Sequence, residues 1–161
     1  MAFETLKEEI INSSVAKDWD SARREWVLQS IMMSDSPEVC LCGHNPIFEL
    51  CYIANGATGA VVIVGNRCVQ QFLGLPSKNL FAGLKRIKIN AVKSMNRALI
   101  EYARGKGWLS DWEYGFCVDT LRKRKLTSVQ NEKRVEINRK VLAQCQPRAV
   151  VAGGEPAALA S

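Results

Sequence analysis

The stretch Cys40-Leu-Cys42-Gly43-His44-Asn-Pro46-Ile-Phe-Glu-Leu-Cys51-Tyr-Ile-Ala-Asn55 turns at its start and then alternates. It continues through Gly-Ala-Thr-Gly59 to Val61-Val-Ile-Val-Gly65-Asn-Arg-Cys68. Four of the six cysteines and the only histidine fall inside it. Cys-x-Cys before a glycine is a tight turn, and Gly43 relieves the backbone so that two sulfurs can face one ion. The β-branched and aromatic residues Ile47, Phe48, Tyr52 and Ile53 predict a strand. Asn55–Gly59 predicts a hairpin loop, and Ala60–Val64 the return strand. Gly65-Asn66 then turns the chain so that Cys68 enters the first turn of a helix, where free N–H groups favour a thiolate.

Thiolates are the best protein donors for zinc, which takes four ligands in a tetrahedron. A turn, a hairpin and a helix with ligands at both ends is a treble-clef-like zinc finger. The candidate ligands are Cys40, Cys42, His44, Cys51 and Cys68. With Asn55 and Gly59 bracketing the loop, Cys68 lies near residues 45–47. At about 3.3 Å per residue, Cys51 is then more than about 10 Å along the strand. That geometry favours His44 as the fourth ligand, whereas a different register restores Cys51; both stay open. Glu49 is the one carboxylate nearby, and no His-Glu-x-x-His pattern exists, so a catalytic ion is not expected.

The remaining chain reads as helices. Residues 3–12 form an amphipathic helix with Phe3, Leu6 and Ile10 on one face. Ala16, Trp19, Ala22, Trp26, Ser30 and Met33 keep 3–4 spacing, which predicts a second helix over 15–33 with both tryptophans in the core. Val69–Gly74 is a short helix closed by glycine. Ser77 opens a helix through Leu80, Leu84 and Ile87, and Asn90 caps another over 91–104. Ser110…Glu113 and Thr127…Gln130 are capping boxes for helices to about Lys123 and Gln144. The expected fold is therefore α+β and mostly α-helical, with one zinc-stabilised hairpin among about six or seven helices. Its parts are an acidic helical pair (1–36), a zinc module (37–74), a basic helical region (75–146) and a disordered tail (147–161), the first three in one compact domain.

Hydrophobic residues are 47 % of the 161 and charged residues 24 %, an ordinary globular balance. No apolar run reaches the length of a membrane span, and the N-terminus has acids where a signal peptide needs an apolar core. A cytoplasmic location is expected, and with it metal ligands or buried thiols rather than disulfides.

The net charge is +6, but it is unevenly spread: −4 over residues 1–39 and +10 over 40–161. Two basic runs carry the excess. The first is Lys85, Arg86 and Lys88, continuing to Lys93 and Arg97; the second is Arg122, Lys123, Arg124 and Lys125, followed by Lys133 and Arg134. Clustered cations repel one another and suit a phosphate backbone. Trp108 and Trp112 lie between the runs, where exposed rings can stack on bases. No complete DNA-reading motif is present, so DNA or RNA would be bound without strong sequence preference, alone or as part of a nucleoprotein complex. No nucleophile–base pair, P-loop or paired carboxylate supports an enzyme. The competing reading is an adaptor or inhibitor, such as a mobile-element anti-defence factor, docking on an acidic protein surface.

Trp19-x-x-Ala22-x-x-Glu25-Trp26, the Cys-x-Cys-Gly-His turn, Ile53-x-Asn55 and Val64-Gly-Asn-x-Cys-Val-x-x-Phe72 together resemble a loose group of small zinc-binding proteins. These occur in bacteria and on phages and plasmids. The resemblance spans residues 15–73, with Leu126, Thr127, Gln130 and Ile137-Asn138 echoing a C-terminal helix of the group. It implies zinc.

Overall fold

A computed structural model describes residues 2–146. These divide into two compact units, residues 2–77 with Gln146, and residues 78–145. The fold is α+β and mostly helical, with seven helices and one three-stranded antiparallel sheet among the described residues. The tail expected over 147–161 lies outside them. Among the described residues no helix is long and apolar enough to cross a membrane.

The first unit begins with α1 (Ala2–Asn12), which buries Leu6 and Ile10 completely. Phe3 stacks on Phe72 at 4.4 Å and meets Trp19 edge-on at 6.0 Å. The expected helix over 15–33 does not form. A single turn, α2 (Trp19–Ala22), is capped by Asp18, a tight turn follows at Arg23–Glu25, and β1 (Trp26–Glu38) then runs as a strand.

Glu25 explains the break. Its carboxylate accepts from the backbone N–H groups of Val15 and Ala16 and from the amide of Asn55, at 2.8–2.9 Å. The Glu25 carbonyl accepts from Gly56 N–H at 3.1 Å. The chain is pinned where a helix would have to continue. From Trp26 the same apolar residues serve a strand, because helix propensity is a weak prior beside sheet pairing. Thus residues 1–36 are not a helical pair. Trp26 is still buried, its indole N–H donating to Ser14 Oγ at 2.9 Å.

The hairpin is β2 (Ile47–Asn55) and β3 (Val61–Gly65). The order is β1-β2-β3, with Cys51 opposite Ile31 on one side and Val64 on the other. Pro37 is tolerated because β1 is an edge strand. Asn55 holds the hairpin loop, its Oδ1 accepting from Ala57 and Thr58 N–H. A short α3 (Asn66–Cys68) continues into one π-helical turn, Val69–Leu73, which ends on Gly74 at a φ of 68°. Only glycine takes that left-handed conformation without strain.

The second unit holds α4 (Lys78–Ile89), α5 (Arg97–Gly105), α6 (Asp111–Thr120) and α7 (Ser128–Gln144). Leu84, Ile87, Leu99, Ile100, Ile137 and Val141 are fully buried. Both capping boxes are formed. The helix expected over 91–104 starts six residues late. Residues 90–96 stay irregular because α7 claims their carbonyls: Asn138 Nδ2 donates to Ala91 O and Lys93 O, and Arg134 donates to Val92 O. Asn96 then caps α5 by accepting from Leu99 N–H, and its amide donates to Asn79 O. Gly83 permits this approach, since a Cβ there would collide with the Asn96 side chain.

Candidate functional site

Two sites are built, one in each unit. In the first, Cys40 and Cys42 stand on the turn before β2, and Cys68 on the last residue of α3. Their sulfurs all lie within 4.8 Å of one another, with Cys40 and Cys42 buried and Cys68 half-buried. The turn is closed by Gly43 N–H to Cys40 O at 2.8 Å and by Cys40 N–H to His44 O at 2.9 Å. Gly43 sits at a φ of 93°. Leu41 N–H donates to Ile63 O, which lays the turn along β3.

The surroundings favour sulfur anions. Gly65 N–H donates to Cys40 Sγ at 3.2 Å, and His44 N–H to Cys42 Sγ at 3.4 Å. Cys68 Sγ lies 3.5 Å from Cys42 Sγ. The Cys68 S–H bond pushes the Cys40 thiol down to about 5, with the Gly65 N–H assisting against burial. The Cys68 thiol is raised, first because it donates to Cys40. Cys40 thus loses its proton readily while Cys68 holds its own, until a cation takes that proton's place. Three soft donors converging on one point could hold a metal ion.

The structure separates the other two candidates from this group. The exposed His44 lies outside it, although its backbone is tied to both Cys40 and Cys42. Cys51 is fully buried in the central strand, where desolvation pushes its thiol up to about 12.

Asn66 was not singled out by the sequence. Its amide donates to Glu49 Oε1 at 3.2 Å, and its Oδ1 accepts from Gln70 Nε2 at 2.8 Å and from the Ser77 hydroxyl. These bonds tie the turn carrying Cys68 to β2 and to the chain entering α4.

The second site is a concave pocket of about 770 Å³ in the helical unit. The segment after α4 and the segment after α6 both line it, so parts of the two basic runs converge. Seven of its twelve lining residues are cationic and none is acidic. Arg86, Lys93, Arg122, Lys123, Arg124 and Lys125 are exposed, and none forms an ion pair among the described residues.

The other basic candidates are placed differently. Lys85 and Lys88 are exposed on α4 but do not line the pocket. Arg97 pairs with Glu101 at 3.1 Å and Lys133 with Glu136 at 3.2 Å. Arg134 is 9 % exposed, and its guanidinium donates to Thr120 O at 2.7 Å and Val92 O at 3.2 Å. Its hydrogen bonds go to the two pocket-forming segments, which it holds together. The tryptophans are also engaged: Trp108 meets Tyr102 edge-on, while Trp112 stacks on Phe116 and carries Lys133 5.2 Å from its centroid. Charge alone marked the runs in sequence. Nothing there marked Val92, Leu126 and Asn131 as wall residues of the same pocket.

Comparisons of the chain with protein-family models, with curated protein sequences and with solved structures return no match.

Proposed function

We propose that the protein is a zinc-stabilised, non-catalytic, nucleic-acid-associated accessory protein. The observation that supports it best is the convergence of unpaired cations from two chain segments on one recess without a carboxylate. Such a surface is costly through self-repulsion and is relieved by a polyanion.

Zinc is the ion the donor set fits: three cysteine sulfurs, two of them receiving backbone N–H bonds, on a turn and a helix start bracketing a hairpin, as in treble-clef-like fingers. His44 completes the tetrahedron in this reading. The residue is exposed and its backbone N–H already donates to Cys42 Sγ, whereas Cys51 cannot leave the central strand without breaking pairs on both sides. The ion's role is structural, its binding energy adding to folding.

The test is a salt titration of full-length protein with labelled nucleic acid. Affinity should fall steeply between about 50 mM and 200 mM salt, by roughly tenfold or more. Replacing Arg122, Lys123, Arg124 and Lys125 by serine should flatten that dependence, by about one unit of log–log slope for each phosphate no longer neutralised. No binding at low salt overturns the reading.

A further inference from the structure

The shape of the basic recess restricts what it can take. Duplex nucleic acid shows its bases only inside grooves about 6 Å and 12 Å wide, which are entered by protruding helices or ribbons. A recess does the converse and receives what projects from its ligand. The volume of about 770 Å³ falls in the range of pockets for compact organic ligands, about 300–1,000 Å³. It suits one unstacked nucleotide and not the body of a duplex.

The walls carry more than charge. Val92 is 46 % exposed, and the half-buried Leu121 and Leu126 add apolar surface next to the cations. A pocket for inorganic phosphate alone has no use for these. Asn131, half-buried on α7, has a side-chain amide with no hydrogen-bond partner among the described residues. An amide offers one acceptor and two donors, the pattern that pairs with a base edge. The pocket is also held open in advance. Ser94 Oγ donates to Leu121 O at 3.2 Å, joining the two segments that Arg134 already bridges.

We propose that this recess takes an unstacked nucleotide of a single nucleic-acid strand. Arg86, Lys93 and the Arg122–Lys125 loop hold its phosphates, Val92 and Leu126 contact the base, and Asn131 reads the base edge. The proposal rests on the polyanion-binding reading given above. Single-stranded recognition draws its energy from unstacked bases set against side chains, which paired bases cannot supply.

The experiment compares full-length protein binding to fluorescein-labelled strands of about 12 nucleotides, DNA and RNA, with the matching duplexes, by anisotropy at low salt. At least one strand should bind about tenfold or more tightly than its duplex. Val92→Ala, Leu126→Ala and Asn131→Ala should each weaken strand binding about threefold or more while leaving duplex binding unchanged. Asn131→Ala keeps the test standing if either apolar variant lowers the melting temperature, because that side chain has no partner to lose. Equal affinities for strand and duplex, or a strand preference untouched by Asn131→Ala, overturn the pocket proposal and leave phosphate binding intact. Failure to bind any of the four probes overturns both.

Discussion

Cys42 and Cys68 bring their sulfurs to 3.5 Å across a sequence separation of 26 residues. A contact between thiols is weak, so the juxtaposition is set by the turn, the hairpin and α3, and an ion would convert it into a clip. Cys68→Ser should therefore lower zinc content sharply and cut the melting temperature by about 10 °C or more, given several kcal/mol of lost folding energy. His44→Ala should keep the fold but weaken zinc about 10–100-fold, while Cys51→Ser should leave zinc affinity unchanged. Elemental analysis and competition with a chromophoric chelator measure both. Undiminished zinc in Cys68→Ser removes the site.

Asn66 acts through the residue two positions on. Asn66→Ala breaks its bonds to Glu49, Gln70 and Ser77 and frees the turn that presents Cys68. Outer-shell partners of metal ligands typically carry about 10–100-fold in affinity. A loss of that size is expected, larger than in Gln70→Ala, which removes a single partner. Equal zinc affinity in Asn66→Ala and wild type would show that α3 is held by packing alone.

Arg134 separates a structural cation from a ligand-binding one. Arg134→Met leaves the Val92 carbonyl without its donor and the Thr120 carbonyl with the Lys123 N–H alone, at a cost of about 1–3 kcal/mol. Unfolding in urea should show that loss. Serine at Lys123 or Arg124 should not, since both are exposed and unpaired among the described residues. The salt dependence of nucleic-acid binding should respond in the opposite pattern.

Glu25 gives a pH signature. The Asn55 amide, followed by the N–H groups of Ala16 and Val15, holds its carboxyl below the ordinary 4.5. A carboxylate with a depressed folded value stabilises above the unfolded value and loses that contribution as pH falls through the folded one. Glu25→Gln should thus melt below wild type at neutral pH, and the gap should close as pH falls from the ordinary 4.5 through the lower folded value. A gap independent of pH would mean that the charge contributes nothing.

How far the sequence could be read depended on how local each signal was. The hairpin was legible because alternation and the Asn55–Gly59 loop lie within neighbouring residues, and both capping boxes were legible because a cap spans four. β1 was not. Trp26, Ile31 and Met33 satisfy a helical and an extended pattern alike, and the choice falls to Asn55, thirty residues from Glu25. The late start of α5 has the same origin, with carbonyls of residues 91–93 claimed from Arg134 and Asn138, up to 47 positions away. In the candidate metal site the three cysteines were legible from spacing, but Asn66 was not, since its role exists only through partners on three segments. Charge runs predicted basic surface. They could not show that Arg134 turns inward or that parts of both runs share one recess.

The order of the sites along the chain has a consequence for synthesis. All three strands and all three clustered thiols precede Lys78, and every residue lining the basic recess follows it. Translation runs from the N-terminus, and domains generally fold as units in that order. The ribosome therefore releases all three clustered thiols before the first cation that lines the basic recess emerges. The candidate metal site and the basic recess are in this way completed at different times within a single nascent chain.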